Sequence, residues 1–178
     1  MQKSPRKKDR VAVRIVATSF VYYMLTGNFK IASAGQGQRD SIISLLRSAK
    51  LPTEDLALSL HNFLVALDGE DVVGAIGLER YGNDGLLRSM VVWNEFRNRG
   101  VASDLVNRLE EEAEMAGIGT LYLFTETAPL YFEKKGYERV SREDVSKSIQ
   151  ASSEFSSVCA ESAIVMKKVI VNKNQEYV

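Results

Sequence analysis

The chain holds one cysteine, Cys159, and one histidine, His61, among 178 residues. A lone thiol excludes an intramolecular disulfide and any cysteine-rich metal site, and it fits a reducing, cytoplasmic setting. One histidine without clustered ligands argues equally against zinc or non-haem iron, so no metal is expected. An excess of one charge is missing too. With 23 Lys and Arg against 23 Asp and Glu, the formal net charge is zero, so nothing draws the whole molecule to nucleic acid. The apolar stretch at residues 15–25 is too short to span a bilayer as a helix, so no membrane partner is expected. What is present is ordinary: 45% hydrophobic and 26% charged residues are enough for a real core in one domain.

The amino terminus stands apart. Lys3, Arg6, Lys7, Lys8, Arg10 and Arg14 precede the apolar stretch, in the order of a signal peptide's basic and hydrophobic regions. Thr26-Gly27-Asn28-Phe29 matches a small-residue cleavage site poorly. An extension from an upstream start, with Met24 as an internal start, is favoured over an export signal. Residues 1–28 are therefore read as an extension, 29–170 as the domain and 171–178 as a frayed tail.

From Phe29 onward no low-complexity linker or repeat interrupts the chain. Residues 29–34 form a strand candidate, and residues 36–50 place Ile42, Ile43, Leu45 and Leu46 at helical spacing. Pro52 ends that helix, and Thr53 caps a short one containing Leu56. Residues 63–67 and 72–79 are rich in strand formers and joined through Asp68-Gly69, a hairpin signal. Gly82-Asn83-Asp84-Gly85 marks another turn before a strand at 86–93. After Gly100 an amphipathic helix buries Val101, Ala102, Leu105, Val106 and Leu109, turns Asp104, Asn107, Arg108 and Glu111 outward, and closes at Gly117 and Gly119. Residues 121–125 form a buried strand and 129–135 a short helix stopped by Gly136. Strands at 137–140 and 163–169 flank a polar helical stretch at 142–152. Hairpins followed by alternating strands and helices imply a mixed α/β sheet.

The strongest local signal is Val92-Trp93-Asn94-Glu95-Phe96-Arg97-Asn98-Arg99-Gly100-Val101-Ala102-Ser103. A strand ends, a polar turn with one glycine follows, and an amphipathic helix starts at once. Backbone N–H groups in a first helical turn lack internal partners and carry the positive end of the helix dipole, which makes a phosphate site. Gly100 and Ala102 keep bulk away from an anion there, while Arg97 and Arg99 add charge.

Arg97-x-x-Gly100-x-Ala102 resembles the signature of the GNAT N-acetyltransferases. The passage Thr125-Glu126-Thr127-Ala128-Pro129-Leu130-Tyr131-Phe132-Glu133-Lys134-Lys135-Gly136-Tyr137 is similar to the strand–helix segment that follows it in that superfamily. The likeness covers residues 29–168 and implies a mixed, mostly antiparallel central sheet flanked by helices. It implies acetyl-CoA as cosubstrate, its pyrophosphate cradled by Arg97, Asn98, Arg99, Gly100, Val101, Ala102 and Ser103. Met90, Val91 and Val92 then lend backbone groups to the acetyl and pantetheine portion. Thr125 stands where many members carry asparagine, and is grouped with the cofactor residues. Leu51-Pro52, Gly77-Leu78-Glu79, Leu87-Arg88-Ser89, residues 121–127 and residues 154–163 resemble one subgroup. These are the small acetyltransferases found with arsenic-resistance genes, themselves similar to the acetyltransferase domain of N-acetylglutamate synthase. Ala160 departs from the proline usual there. Phe132 occupies the place of the tyrosine that protonates the leaving thiolate in many members, so that acid does not carry over.

The reaction implied is transfer of an acetyl group to the amine of a small molecule, an amino acid or an analogue. A protonated amine must first lose a proton to a base. Glu79 ends an apolar run and is one candidate; Glu126, which follows residues 121–124 in the same way, is the other. Arg88 interrupts an apolar run and needs an anionic partner, either a substrate carboxylate or a glutamate of this chain. Cys159 reads as a small buried hydrophobe and His61 as a turn residue. Synthesis of N-acetylglutamate and CoA-dependent regulation without turnover are the alternative functions, and a homodimer is compatible with the sequence.

Overall fold

The computed structural model describes residues 29–54, 56, 60–155 and 162–170. Among these residues, seven strands and four α-helices follow in the order β1 (Lys30–Ser33), α1 (Arg39–Ser48), β2 (Phe63–Asp68), β3 (Asp71–Tyr81), β4 (Asp84–Val92), α2 (Val101–Met115), β5 (Thr120–Thr125), α3 (Pro129–Lys134), β6 (Glu138–Val140), α4 (Lys147–Gln150) and β7 (Ile164–Val169). They build one sheet in the order β1-β2-β3-β4-β5-β7-β6. Every neighbouring pair is antiparallel except β4 and β5. This is the mixed, mostly antiparallel sheet with flanking helices expected from the sequence.

Helices cover both faces. On one, α2 buries Val101, Leu105, Val106, Leu109 and Ala113 against Leu64, Ile76, Leu87 and Leu121. Its approach is close because β3 offers no side chain at Gly74, where an added Cβ would stand 3.1 Å from both Leu105 Cδ1 and Val101 Cγ1. On the other face, α1 packs Ile42, Leu45 and Leu46 over Phe63, Val65, Ala75 and Val91. A third cluster joins Leu86, Tyr122 and Val165 to Val145 and Ile149.

The stretch at 142–152 departs from the continuous helix expected. A 3₁₀ turn at Arg142–Asp144 gives way to extended backbone at Val145 and Ser146, and α4 is only four residues long. Ser146 and Ser148 both donate to Asp84 Oδ2, at 2.6 and 2.7 Å, while Val145 and Ile149 plug the core. Those tertiary anchors override the local helical preference. Trp93, counted with β4 in the sequence, lies just past its end and is 41% exposed. The expectations for residues 1–28, Cys159 and residues 171–178 lie outside the described residues, as does part of the helix expected after Thr53.

Candidate active site

Two irregularities in β4 open the sheet. Ala75 faces Val91 and Gly77 faces Arg88, so Ile76 alone opposes the two residues Ser89 and Met90. Ser89 adopts a φ of 53°, an unusual value for a non-glycine residue that marks this bulge. On its other side β4 pairs with β5 only at Asp84, Gly85 and Leu86. Beyond Leu86 the strands part, and among the described residues the β5-facing edge of Leu87–Val92 has no strand partner. Two cavities fill the gap, one of about 550 Å³ at the start of α2 and one of about 540 Å³ between β4 and β5. Ala49, Leu51, Met90, Thr127 and Ala128 border both, so the two are continuous.

The first cavity is a backbone cradle. Met90, Val91, Val92, Arg97, Asn98, Gly100, Val101, Ala102 and Ser103 line it. Asn98 and Gly100 turn the chain with φ of 59° and 88°, and the space around a Cβ at Gly100 is open to 4 Å. The first bond of α2 runs from Asp104 N–H to the Gly100 carbonyl at 3.0 Å, and no side chain caps the helix. The N–H groups of Val101, Ala102 and Ser103 therefore remain for a ligand, at the positive end of a fifteen-residue dipole. Arg97 Nε donates to the Val92 carbonyl at 3.2 Å, which holds the turn against the strand end. Arg99 instead lies over the Phe96 ring at 5.3 Å and is not among the lining residues. Ser103 Oγ accepts from Lys135 Nζ at 2.5 Å, and Lys135 also reaches Asn107 Oδ1 at 2.9 Å. A cation thus sits at the first turns of α2, supplied by a residue that local sequence reading passes over because it lies thirty-two positions away.

The second cavity is built from side chains. Arg88, Thr125, Glu126, Lys50 and Glu154 line it, and Glu79 does not. The Arg88 side chain is 2% exposed. Its Nη1 donates to Glu79 Oε1 at 2.7 Å, its Nη2 pairs with Glu154 Oε2 at 3.1 Å, and its Nε donates to Ser89 Oγ at 3.3 Å. Tyr81 donates its hydroxyl to Glu79 Oε2 at 2.7 Å. Burial, then the hydrogen bond and charge of Glu79, push Tyr81 up to about 12, so it serves as a donor. Of the two carboxylates read as bases, Glu126 borders the cavity and accepts from Ser162 Oγ at 2.8 Å, whereas Glu79 stands behind Arg88. Thr125, grouped with the cofactor residues, borders this second cavity, and its Oγ1 accepts the Ala128 N–H at 3.1 Å.

Glu154 and Lys50 were not singled out from the sequence. The signal for Glu154 was its place in the stretch that carries the subgroup resemblance, and Lys50 shows none beyond its charge. Tyr131 enters the sequence reading only as part of the passage from Thr125 to Tyr137. Phe132 is buried at 4% and stacks edge-on with both Tyr131 and Tyr137. Tyr131 borders the first cavity, and its hydroxyl is buried without a hydrogen-bond partner among the described residues. Burial first, then the charges of Glu110 and Asp104, push it up to about 12 and keep it protonated at neutral pH. Among the described residues no group of three or more His, Cys, Asp or Glu is placed to hold a metal. None of the described helices is long and apolar enough to cross a membrane.

Comparisons with known proteins find a family model that matches part of the chain and solved structures of the same fold. Residues 59–139 match the model of the acetyltransferase (GNAT) domain. The fold is shared with a GNAT-family acetyltransferase from Staphylococcus aureus Mu50, at TM-score 0.69 and 19% identity over 81% of this chain and 100% of that one. It is shared with Rv2747 from Mycobacterium tuberculosis, solved with CoA, at 0.69 and 17% over 80% and 99%. It is also shared with N-acetylglutamate synthase from Neisseria gonorrhoeae, solved with coenzyme A and N-acetyl-glutamate, at 0.70 and 14% over 80% of this chain. The match spans 35% of that synthase. No protein of curated function matches the sequence.

Proposed function

We propose that this domain binds acetyl-CoA at the start of α2 and transfers the acetyl group to the amine of a small acceptor, an amino acid or an amino-acid analogue. The observation that carries this reading is the continuity of the two cavities. One offers three unbonded N–H groups to an anion, and the other offers charged side chains to an acceptor. The donor set fits a pyrophosphate, with N–H groups of residues 101–103, the nearby Arg97 and Lys135, and open space at Gly100. When bound, acetyl-CoA supplies the thioester carbonyl that the amine attacks.

The remaining work falls to residues of this chain. A main-chain N–H on the unpaired edge of β4, that of Val92, donates to the oxyanion in this reading. Glu126 takes the amine proton, because it borders the acceptor cavity and Glu79 does not. Glu79 holds Arg88 in place, and Arg88 faces the acceptor. Tyr131, protonated and without a hydrogen-bond partner among the described residues, is the donor available where Phe132 has no hydroxyl. The resemblance to acetyltransferases found with arsenic-resistance genes adds arsenic-containing amino acids to the acceptors worth assaying, and the synthase likeness adds glutamate.

The test pairs calorimetric titration of acetyl-CoA with an acetyl-transfer screen over amino acids, arsenic- and phosphorus-containing analogues, and polyamines. Binding with transfer to an amino acid supports the proposal. Binding without transfer to any amine leaves a CoA-responsive regulator instead. No binding of acetyl-CoA removes the reading altogether.

A further inference from the structure

A primary amine of this chain already stands at the acceptor cavity. Lys50 borders that cavity, and its two neighbours, Ala49 and Leu51, border both cavities. Lys50 therefore sits at the junction where, in the acyl-transfer reading, the thioester meets its acceptor. The backbone there is held by the end of α1. The Lys50 N–H donates to the Arg47 carbonyl at 2.9 Å and the Leu51 N–H to the Leu46 carbonyl at 3.0 Å, the paired bonds that close a helix. Lys50 takes the left-handed place in that closure, with φ of 58°. Glycine is favoured at such a position because it has no Cβ to strain. Here a long side chain is carried instead, beside the cavity and with no hydrogen bond or ion pair of its own among the described residues. We infer that Lys50 is itself an acetyl acceptor: with acetyl-CoA bound and no free amine in the cavity, the chain acetylates its own Lys50. This rests on the acyl-transfer reading above and adds a modification site to it.

The groups the step needs border the same space. Glu126 lines the acceptor cavity and takes a proton from the Lys50 ammonium. The neutral Nζ attacks the thioester carbonyl carbon and forms the C–N bond. Collapse of the tetrahedral intermediate breaks the C–S bond, and the second proton on nitrogen passes to the departing CoA thiolate. The products are an Nζ-acetylated Lys50 and CoA thiol. An amine fixed beside the thioester reacts without the entropic cost of bringing in a second molecule. A free acceptor competes by filling the cavity, so the modification is confined to molecules loaded with acetyl-CoA alone. Acetylation also removes a charge. Lys50 and Arg88 are the cations lining the acceptor cavity, and the amide leaves Arg88 as the one that remains. Exposure does not single Lys50 out, because Lys30 and Lys147 are exposed too and border neither cavity.

The experiment incubates the full chain with deuterium-labelled acetyl-CoA and no amine, then maps labelled lysines by peptide mass spectrometry. Lys50 should gain label about a hundredfold faster than Lys30 and Lys147, which report the uncatalysed reaction. The rate per molecule should not depend on protein concentration, because the transfer stays within one chain. Lys50→Arg should clear the fast label without moving it to another lysine. Equal labelling of the three lysines would overturn the inference. So would an unlabelled Lys50, whose ammonium would then serve only to attract an anion. A rate per molecule that rises with protein concentration would overturn it as well, since one chain would be acetylating another. The acetyl-CoA titration run beside it keeps the two readings apart. Binding with transfer to free amines but no label on Lys50 sinks this inference alone, whereas no binding removes the acyl-transfer reading with it.

Discussion

The two ends of the cleft are made in different ways. At the α2 end the ligand-facing groups are main-chain N–H groups of consecutive residues, set by a turn of four positions. At the other end they are side chains from β4, the loop before α3 and the segment after α4, namely Arg88, Glu126 and Glu154, with Glu79 of β3 behind Arg88. The first arrangement tolerates most side-chain changes and fails when a Cβ or a negative charge enters. The second depends on each partner, because removing one leaves another charge buried and unbalanced.

The sharpest way to break this contrast lies at Glu126. If it is the base, Glu126→Gln should lower kcat by about 10³-fold with acetyl-CoA affinity unchanged, as steady-state kinetics beside calorimetry would report. A near-normal kcat would return the role to Glu79. Arg88→Met should be next in size. It strands Glu79 and Glu154, both mostly buried, and should cost about 3 kcal/mol, read as a Tm lower by roughly 10 °C. Below that Tm its acetyl-CoA affinity should stay normal, since nothing at the α2 end depends on Arg88.

Gly100→Asp attacks the other end. It places a carboxylate before the unbonded N–H groups and forces a side chain onto a φ of 88°. Acetyl-CoA affinity should fall by about 10²-fold in a protein that still folds, as titration would show. Lys135→Met removes only one cation from the first turns of α2 and should weaken acetyl-CoA by about two- to fivefold, more at low salt than at high salt.

The smallest effect is alkaline. Tyr81 and Tyr131 are pushed from 10.0 up to about 12 by burial, and Tyr137 is pushed further in the same direction. A raised tyrosine contributes stability that is fully present below pH 10 and is lost as pH rises toward 12. Melts from pH 9 to 12 should show that decline, and Tyr131→Phe should make it shallower. A flat profile in wild type would mean these hydroxyls are open to water.

The turn and helix start at Gly100 were legible in advance because their logic is local. Strand, turn, glycine and amphipathic helix occupy neighbouring positions, and the helix N–H groups are unbonded whatever packs above them. The acceptor site was legible only in part. Arg88 within an apolar run demanded an anionic partner, and Glu79 on the adjoining strand was within reach through the turn. Glu154, sixty-six positions further on, shows nothing in its own neighbourhood that points to Arg88. The break in the polar stretch at 142–152 is of the same kind, since it follows from Asp84 gathering Ser146 and Ser148.

By itself, then, the sequence determined the class of sheet, the helix that starts at Gly100 and the exposed N–H groups at its tip, because periodicity and helix-end chemistry act over a few residues. Only the tertiary structure decided that β4 bulges at Ser89 and parts from β5, that β7 inserts between β5 and β6, and that two glutamates share one arginine. Those outcomes depend on which distant groups can satisfy a buried charge or an unpaired strand edge, and that is settled only when the whole sheet closes.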